Sequence, residues 1–348
     1  MKNSHGERTM WAEILYSSIW FHLAVIAAAF VILFRGADLF VDAAVGISEN
    51  LHMPRMLVGI VIVGIGTTAP EITVSIISAM RGKSEFALGN ALGSVIVDNG
   101  VALALAAILA PTLILIDKVI FKRNGYFLMA VACFTYILGF DGLITRFEGI
   151  LLVLTLIGYW VWMFLAERSD KKKRTPPPEA DQAGIGRHVF NFLLGLAGVI
   201  MASYAVVGSA EVVALHFGVP EVIIGLTIIA IGTSLPEIST AIVAARKNEG
   251  EIAVGNILGA NILNLLWIIG VSSLVNPIDI RGDRIDVGLV FTRLHDIPSV
   301  HFSFLWMFVL TFIMLAMMRT GYSLRKREGI ILLALYAIYF YMNFSMFT

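Results

Sequence analysis

The sequence predicts an all-helical integral membrane protein with ten transmembrane helices in two inverted five-helix repeats. Three observations support this prediction: the composition, the length of the apolar segments and a long motif that occurs twice. Of the 348 residues, 58% are hydrophobic and 14% are charged, whereas soluble domains have about 45–50% and about 25%. The formal net charge is zero, so nothing in the charge balance indicates a nucleic-acid partner.

The apolar residues form continuous blocks of the length that a membrane helix needs. A helix of about 17–25 residues crosses the roughly 30 Å of hydrocarbon in a bilayer. The blocks do not alternate with polar residues, which excludes a transmembrane β-barrel. Ten spans are predicted, at residues 19–46, 55–80, 85–109, 125–140, 147–165, 189–215, 219–245, 252–275, 301–318 and 329–347.

A hydrophilic stretch at residues 168–187 divides the chain into halves and is predicted to be a linker. It contains four consecutive basic residues and three consecutive prolines. The first repeat is placed at 19–167 and the second at 188–348, after an N-terminal extension at 1–18. Lys and Arg are enriched in cytoplasmic loops, and here they accumulate on the side of the linker. We therefore expect a multi-pass protein of the plasma membrane, with the linker in the cytoplasm and both termini outside.

The two halves share a motif, at residues 59–109 and 225–275, with a constant offset of 166 residues. The strings GIGTTAPEITVSIISAMRGKSEFALGNALGS and AIGTSLPEISTAIVAARKNEGEIAVGNILGA align without a gap. Because each half has five spans, an odd number, the second copy must enter the membrane from the opposite side. Inverted repeats of this kind occur in many secondary transporters, which place the substrate site near the bilayer midplane.

Each motif copy carries a helix-breaking segment in the middle of a span. Proline removes one backbone donor and clashes with the preceding turn, so it interrupts the helix and frees carbonyl groups. Free carbonyls beside a carboxylate form an oxygen site that suits a hard cation. The polar members of this segment are Thr67, Thr68 and Glu71 in the first copy and Thr233, Ser234 and Glu237 in the second.

Glu71 and Glu237 are predicted to be cation ligands rather than structural residues. A charged side chain at the centre of the bilayer costs at least about 2.5–3.5 kcal/mol. Except for Arg35, no basic residue is expected at a comparable depth, so the acids need a cation or a proton. Asp98, whose counterpart is Asn264, adds a third acid; the alternative is that it bonds to a neighbouring helix.

The motif glycines have a different predicted role. Small residues let membrane helices approach closely. We therefore expect Gly89, Gly93, Gly255 and Gly259 to support packing against the broken helices rather than to bind ions.

The paired strings GTTAPE with GNALGS and GTSLPE with GNILGAN resemble the two alpha repeats of the cation/calcium exchanger superfamily. The most similar type is the prokaryotic sodium/calcium exchanger. This resemblance implies an antiporter, not an enzyme and without a cofactor, that exchanges Ca²⁺ for Na⁺ by alternating access. It also implies that helices two, three, seven and eight surround the site while the long first and sixth helices slide over that core.

The resemblance also assigns roles to individual residues. Glu71 and Glu237 would be the acidic Ca²⁺ ligands, and Thr67 and Thr233 would add backbone and side-chain oxygens. Further positions in the expected metal site are Gly64 and Ala230 through their carbonyls to Na⁺, Ser94 at a Na⁺ site, Thr68, Ser234, Asp98 and Asn264.

Two departures from the family pattern leave the counter-ion open. The family commonly has Asn at position 98 and Asp at position 264, and here the two are exchanged. Ala260 stands where the family often has a serine that serves Na⁺. Exchange of Ca²⁺ or another cation for protons is therefore the alternative.

An intramembrane enzyme and a channel are the alternatives from other classes of protein. An intramembrane enzyme that holds Mg²⁺ and a phosphorylated lipid would need clustered acids and basic residues aimed at phosphate. Here the acids stand singly on different helices and the core lacks bases. A channel would differ from an exchanger in its flux, which would not require a counter-ion on the other side.

Overall fold

The computed structural model describes residues 18–171, 184–217, 230–279, 287–289, 292–294 and 299–345. The predicted N-terminal extension lies outside the described residues, apart from its last residue. So do most of the linker and the first part of the seventh predicted span.

The described chain is helical almost throughout. Six helices are long and apolar enough to cross a membrane, and α2 with α3 makes a seventh candidate as a bent pair, counted over the described residues. The helices are Ile19–Leu51 (α1), Arg55–Thr67 (α2), Ala69–Met80 (α3), Ser84–Leu109 (α4), Lys118–Leu138 (α5), Arg146–Lys171 (α6), Ile185–His216 (α7), Ala230–Thr233 (α8), Leu235–Arg246 (α9), Gly250–Val275 (α10), Ser299–Arg319 (α11) and Lys326–Ser345 (α12).

Several helices extend beyond the predicted spans, and at the start of α5 the reason is local capping. α5 begins at Lys118, not at residue 125, since the Asp117 carboxylate accepts the backbone N–H groups of Val119 and Ile120, both at 2.8 Å. An aspartate before the first helical residue satisfies donors that have no partner inside the helix. α6 continues to Lys171 and α7 begins at Ile185, so helix occupies both ends of the stretch predicted to be a linker.

The internal repeat of the sequence is also present in the backbone. α4 contains a π-helical turn at Asp98–Ala102, and α10 contains one at Asn264–Ile268, 166 residues later. A further π-helical turn lies in α2, at Gly59–Val63. Such turns are single wide turns, with hydrogen bonds between residues five apart, and they occur frequently at functional sites. Asp98 and Asn264 each begin their turn.

α10 and α4 form the centre of the bundle. In the most apolar 18-residue window of each helix, 94% of α10 and 72% of α4 is buried, against 28% of α1. α1 packs lengthwise against α7, where Gly36 and Gly195 allow the two backbones to meet. The rings of Phe40 and Phe192 also pack together, with their centroids 4.4 Å apart. Because α1 and α7 lie outside the most buried part, their other faces are available to lipid.

Short strands connect the two halves of the chain. β1 (Ile114–Leu115) follows α4 and pairs antiparallel with β6 (Ser323–Leu324), which precedes α12. β2 (Leu143–Ile144) precedes α6 and pairs antiparallel with β3 (Ile278–Asp279), which follows α10. A separate hairpin of β4 (Val287–Leu289) and β5 (Thr292–Leu294) lies in the loop before α11. Each of the first two pairs therefore ties one half to the other.

Candidate cation site

Both predicted helix breaks are confirmed. α2 ends at Thr67 and α3 begins at Ala69, with a bend of 45° between them. The corresponding break separates α8 from α9 at Ser234. A proline stands in the first turn after each break, as does the glutamate, Glu71 in α3 and Glu237 in α9. A carboxylate in the first turn of a helix lies at the positive end of the helix dipole, where negative charge is stabilised. Each break therefore creates a position that favours the charged form of its glutamate.

The acids in the core are fully buried. The exposed fraction is 0% for Glu71, 0% for Asp98 and 1% for Glu237. Among the described residues, neither carboxylate oxygen of Glu71 or Asp98 has a hydrogen-bond partner, and Oε2 of Glu237 has none. Glu71 lies within electrostatic range of both other acids. Burial of an uncompensated carboxylate is strongly unfavourable, so this group of acids requires a cation or protons.

Other oxygen atoms in the two motif copies are also buried and unpartnered within the described part of the chain. They belong to Ser94 and Asn264, near the π-helical turns, and to Ser234 at the second break. The described residues contain no group of three or more His, Cys, Asp or Glu side chains arranged to hold a metal. A cation in this core would therefore draw on hydroxyl and amide oxygens as well as on carboxylates.

The threonines of the first break contact the second half of the chain. The hydroxyl of Thr67 donates to Oδ1 of Asn256 at 2.9 Å. The hydroxyl of Thr68 lies 3.4 Å from Oε1 of Glu237 and donates to the Gly64 carbonyl at 2.7 Å. These bonds bring the break of one motif copy onto the acid of the other.

The remaining predicted positions differ between the two copies. The carbonyl of Gly64, which the resemblance assigns to a Na⁺ site, also accepts the backbone N–H of Thr68 at 3.1 Å. Ala230 begins α8 and Thr233 ends it, as Gly64 and Thr67 do in the last part of α2. Thr67 is fully buried and Thr233 is half-buried. The side chain of Ala230 lies outside the described residues.

α2 rests directly on α10 through the motif glycines. A Cβ atom added to Gly255 would collide with the carbonyl oxygen of Met56, and one added to Gly259 would collide with that of Ile60. This confirms the predicted packing role for these two glycines. A Cβ on Gly89 or Gly93 meets nothing within 4 Å among the described residues. The first helix break is therefore held against α10, which is the most buried of the candidate spans among the described residues.

Two polar residues of the core were missed by sequence reasoning. Asn261 donates to Oδ1 of Asn99 at 2.7 Å, which links α10 to α4. Both side chains are fully buried. The available signal was an amide directly after Asp98 in the interior of a predicted span.

These features together define a class of protein. Broken and widened helices that carry buried acids to the centre of a many-helix apolar bundle are typical of secondary transporters.

Comparison with known proteins gives the particular family. The family model described as "Sodium/calcium exchanger protein" matches residues 21–165 and 187–345. The putative antiporter CaxA of Alkalimonas amylolytica is 37% identical over 257 residues, which cover 71% of this chain and 78% of CaxA. The sodium/calcium exchanger MaX1 of Methanosarcina acetivorans is 27% identical over 359 residues, covering 92% and 97%.

Solved structures agree with this match. A structure of the sodium-calcium exchanger NCX_Mj is similar with a TM-score of 0.75 and 25% identity, and the match covers 92% of this chain and 98% of that one. The chain belongs to the sodium/calcium exchanger family. It is accordingly a multi-pass membrane antiporter and not an enzyme.

Proposed function

We propose that this protein exchanges Ca²⁺ for Na⁺ by alternating access at a site near the membrane midplane, formed around Glu71 and Glu237. The observation that carries the proposal is the burial of three carboxylates with five oxygen atoms that lack hydrogen-bond partners within the described residues. Ca²⁺ takes six to eight oxygen ligands and favours carboxylates. A divalent cation between Glu71 and Glu237 would compensate two of the three buried charges.

The other oxygen atoms complete the proposed site. Thr67 and Thr68 would bring the first break towards Glu237, since their hydroxyls already bond to Asn256 and lie near Glu237. The further members carried over from the family resemblance are Thr233, Ser234, Ser94, Asp98, Asn264 and the carbonyls of Gly64 and Ala230. If Gly64 serves Na⁺, Na⁺ binding must share its carbonyl with Thr68, which bonds to it here.

Alternating access follows from the electrostatics of this site. Empty carboxylates repel one another and are costly to enclose, so the unloaded core should not change its exposure from one side to the other. Either cargo neutralises the acids and permits the change. α1 and α7, which contact each other at Gly36 and Gly195, are the pair that the resemblance expects to slide over the core.

We also propose the inverted ten-helix plan, with the linker in the cytoplasm and both termini outside. The family model matches each half of the chain, and the π-helical turns of α4 and α10 recur at the motif offset. The crossed strand pairs add support. Each joins the strand after the central helix of one half to the strand before the last helix of the other, which a two-fold relation between the halves requires.

The counter-ion is the finer part of the proposal. The family membership favours Na⁺, and Ser94 keeps a buried hydroxyl in the first copy. In the second copy, Ala260 lies against Gly64 and has no hydroxyl that could bind Na⁺. Proton coupling is the second candidate, because the buried carboxylate of Asp98 has no partner among the described residues and could carry a proton.

Uptake of ⁴⁵Ca²⁺ into proteoliposomes would test the proposal. Vesicles loaded with Na⁺ and diluted into Na⁺-free buffer should accumulate ⁴⁵Ca²⁺, whereas vesicles with only an outward proton gradient should not. Uptake driven by protons alone would assign the protein to the alternative. Uptake with neither gradient would contradict antiport, because a channel needs no counter-ion.

A further inference from the structure

A chain of three buried polar side chains crosses the centre of the bundle next to the proposed site. Asn261 in α10 donates to Oδ1 of Asn99 in α4 at 2.7 Å, and Asn99 donates to the hydroxyl of Thr311 in α11 at 2.9 Å. All three side chains are fully buried. Polar side chains in the core of a membrane protein are costly and usually serve function or helix association.

This chain of bonds is attached to the element that carries Asp98. Asp98 begins the π-helical turn Asp98–Ala102, and Asn99 is its second residue. Neither carboxylate oxygen of Asp98 has a hydrogen-bond partner among the described residues, so no such bond orients that carboxylate directly. The hydrogen bonds of Asn99 to α10 and α11 instead hold the backbone of the turn that carries the Asp98 side chain.

The two motif copies differ at these positions. At the motif offset, Asn99 corresponds to Leu265 and Asn261 corresponds to Val95. The amide at the second position of the turn is therefore present in the copy whose turn begins with an acid, Asp98. It is absent from the copy whose turn begins with Asn264. The hydrogen-bonded amides therefore occur beside the acid and are not repeated in the other copy.

We propose that Asn99, held between Asn261 and Thr311, is a positioning residue that sets the Ca²⁺ affinity of the site by fixing the turn that carries Asp98. This inference rests on the proposed function, because it assumes that Asp98 faces the cation. Partners that orient metal ligands typically change metal affinity about 10–100-fold when they are removed.

Equilibrium binding of ⁴⁵Ca²⁺ to the purified full-length protein would test this role, with Asn99→Leu and Asn261→Val, which install the residues of the other copy. Each is expected to weaken Ca²⁺ binding about tenfold or more, and the double variant should be no worse than the single ones. In an Asp98→Asn background, Asn99→Leu should have no additional effect. Tyr159→Phe is the matched control, because it removes a buried 2.6 Å bond to Asn124 between α5 and α6, and it should leave Ca²⁺ affinity unchanged.

Two results would overturn the proposal. One is unchanged Ca²⁺ affinity in Asn99→Leu, and the other is an equal loss in the wild-type and Asp98→Asn backgrounds. If Asn99→Leu fails to fold, Thr311→Val removes only the outer bond. A loss of affinity in that variant is then expected, and unchanged affinity would also refute the role. Wild-type Ca²⁺ binding in Glu71→Gln and Asp98→Asn would instead overturn the proposed site itself.

Discussion

At the scale of single residues, the unusual feature is that the core contains carboxylates for which the described side chains provide few hydrogen-bond donors. Glu71 and Asp98 are buried with both oxygens unpartnered in the described structure, and Glu237 has the Thr68 hydroxyl at 3.4 Å from Oε1. A protein selected only for stability would place neutral side chains there. The stability given up at these positions is consistent with a site that binds and releases charged cargo.

The acids give a direct prediction for function. Glu71→Gln and Glu237→Gln should reduce Ca²⁺ uptake to the level of protein-free vesicles, because an amide keeps the size of the side chain but supplies no charge to the ion. ⁴⁵Ca²⁺ flux in proteoliposomes would measure the loss. Glu85→Gln, a neutralisation in the first turn of α4, is the matched control and should retain flux. Wild-type flux in either core variant would contradict the assignment.

The same substitutions should not weaken the ion-free fold. Removing a buried charge relieves its desolvation cost, so the unfolding temperature without Ca²⁺ should be maintained or raised. A lowered unfolding temperature would mean that these acids have structural partners in the absence of cargo.

At the scale of elements, the contact between α2 and α10 decides where the first break lies. Gly255 and Gly259 allow the backbone of α2 to touch α10, and the Thr67 hydroxyl then reaches Asn256. A bulkier residue at the crossing would therefore move the break as well as the helix.

Gly259→Ala should test this contact. The added methyl group would meet the Ile60 carbonyl, and overpacking of this kind costs about 1–3 kcal/mol. We expect a lower unfolding temperature and a reduced Ca²⁺ flux, measured on the same preparation. Gly158→Ala is the control, since its Cβ would meet nothing within 4 Å in the described part of the chain and alanine favours a helix by about 1 kcal/mol. Equal behaviour of the two variants would refute a special role for the crossing.

Another contact between elements ties α1 to the connection after α9. Nζ of Lys247 lies 2.7 Å from Oδ1 of Asp42 and 3.2 Å from Oδ1 of Asp38. Partial burial lowers the pKa of Lys247, but the hydrogen bonds and charges of Asp42 and Asp38 outweigh it and raise the pKa above 10.5. Asp42 is exposed and Asp38 is partly exposed, and both pair with this lysine.

These ion pairs predict a pH dependence of stability. A raised pKa means that the contribution of Lys247 is fully present below pH 10.5 and is lost as the pH rises through the higher pKa of the folded state. Exposed pairs contribute about 0.2–1 kcal/mol each. Lys247→Gln should therefore unfold at a slightly lower temperature at neutral pH.

The difference from wild type should shrink at alkaline pH and at high salt. Thermal unfolding in detergent would measure it, with the exposed Lys83→Gln as control. A difference that is independent of both pH and salt would show that the pairs do not account for it.

At the scale of the whole molecule, the two halves are interlocked rather than placed side by side. β1 pairs with β6, and β2 pairs with β3. The first break is hydrogen-bonded to the second half through Thr67 and Asn256. α4 and α10 are joined by the hydrogen bond between Asn99 and Asn261. The proposed site would therefore belong to both halves, and neither half would contain it alone.

The proposed inverted plan predicts the sidedness of equivalent connections. Lys83 follows α3 and Arg246 ends α9, and both side chains are exposed. After replacement of Cys133, the single cysteine of the chain, Lys83→Cys should react with a membrane-impermeant maleimide in intact cells. Arg246→Cys should react only after permeabilisation. Reaction of both from the same side would refute the inverted arrangement.

The sequence by itself determined the class of protein, the repeat and the positions of both breaks. Apolar length, proline and glycine positions and isolated acids act locally, because insertion into a membrane and interruption of a helix depend on neighbouring residues. Even the missed start of α5 was encoded locally, in the Asp117 cap.

Only the tertiary structure decided which of these groups meet. The bond from Thr67 to Asn256 spans 189 residues, that from Asn261 to Asn99 spans 162, and that from Lys247 to Asp42 spans 205. Such contacts depend on how helices cross, which a local pattern does not specify. The unpartnered oxygens and the chain of bonds beside Asp98 emerge only when both halves have packed together.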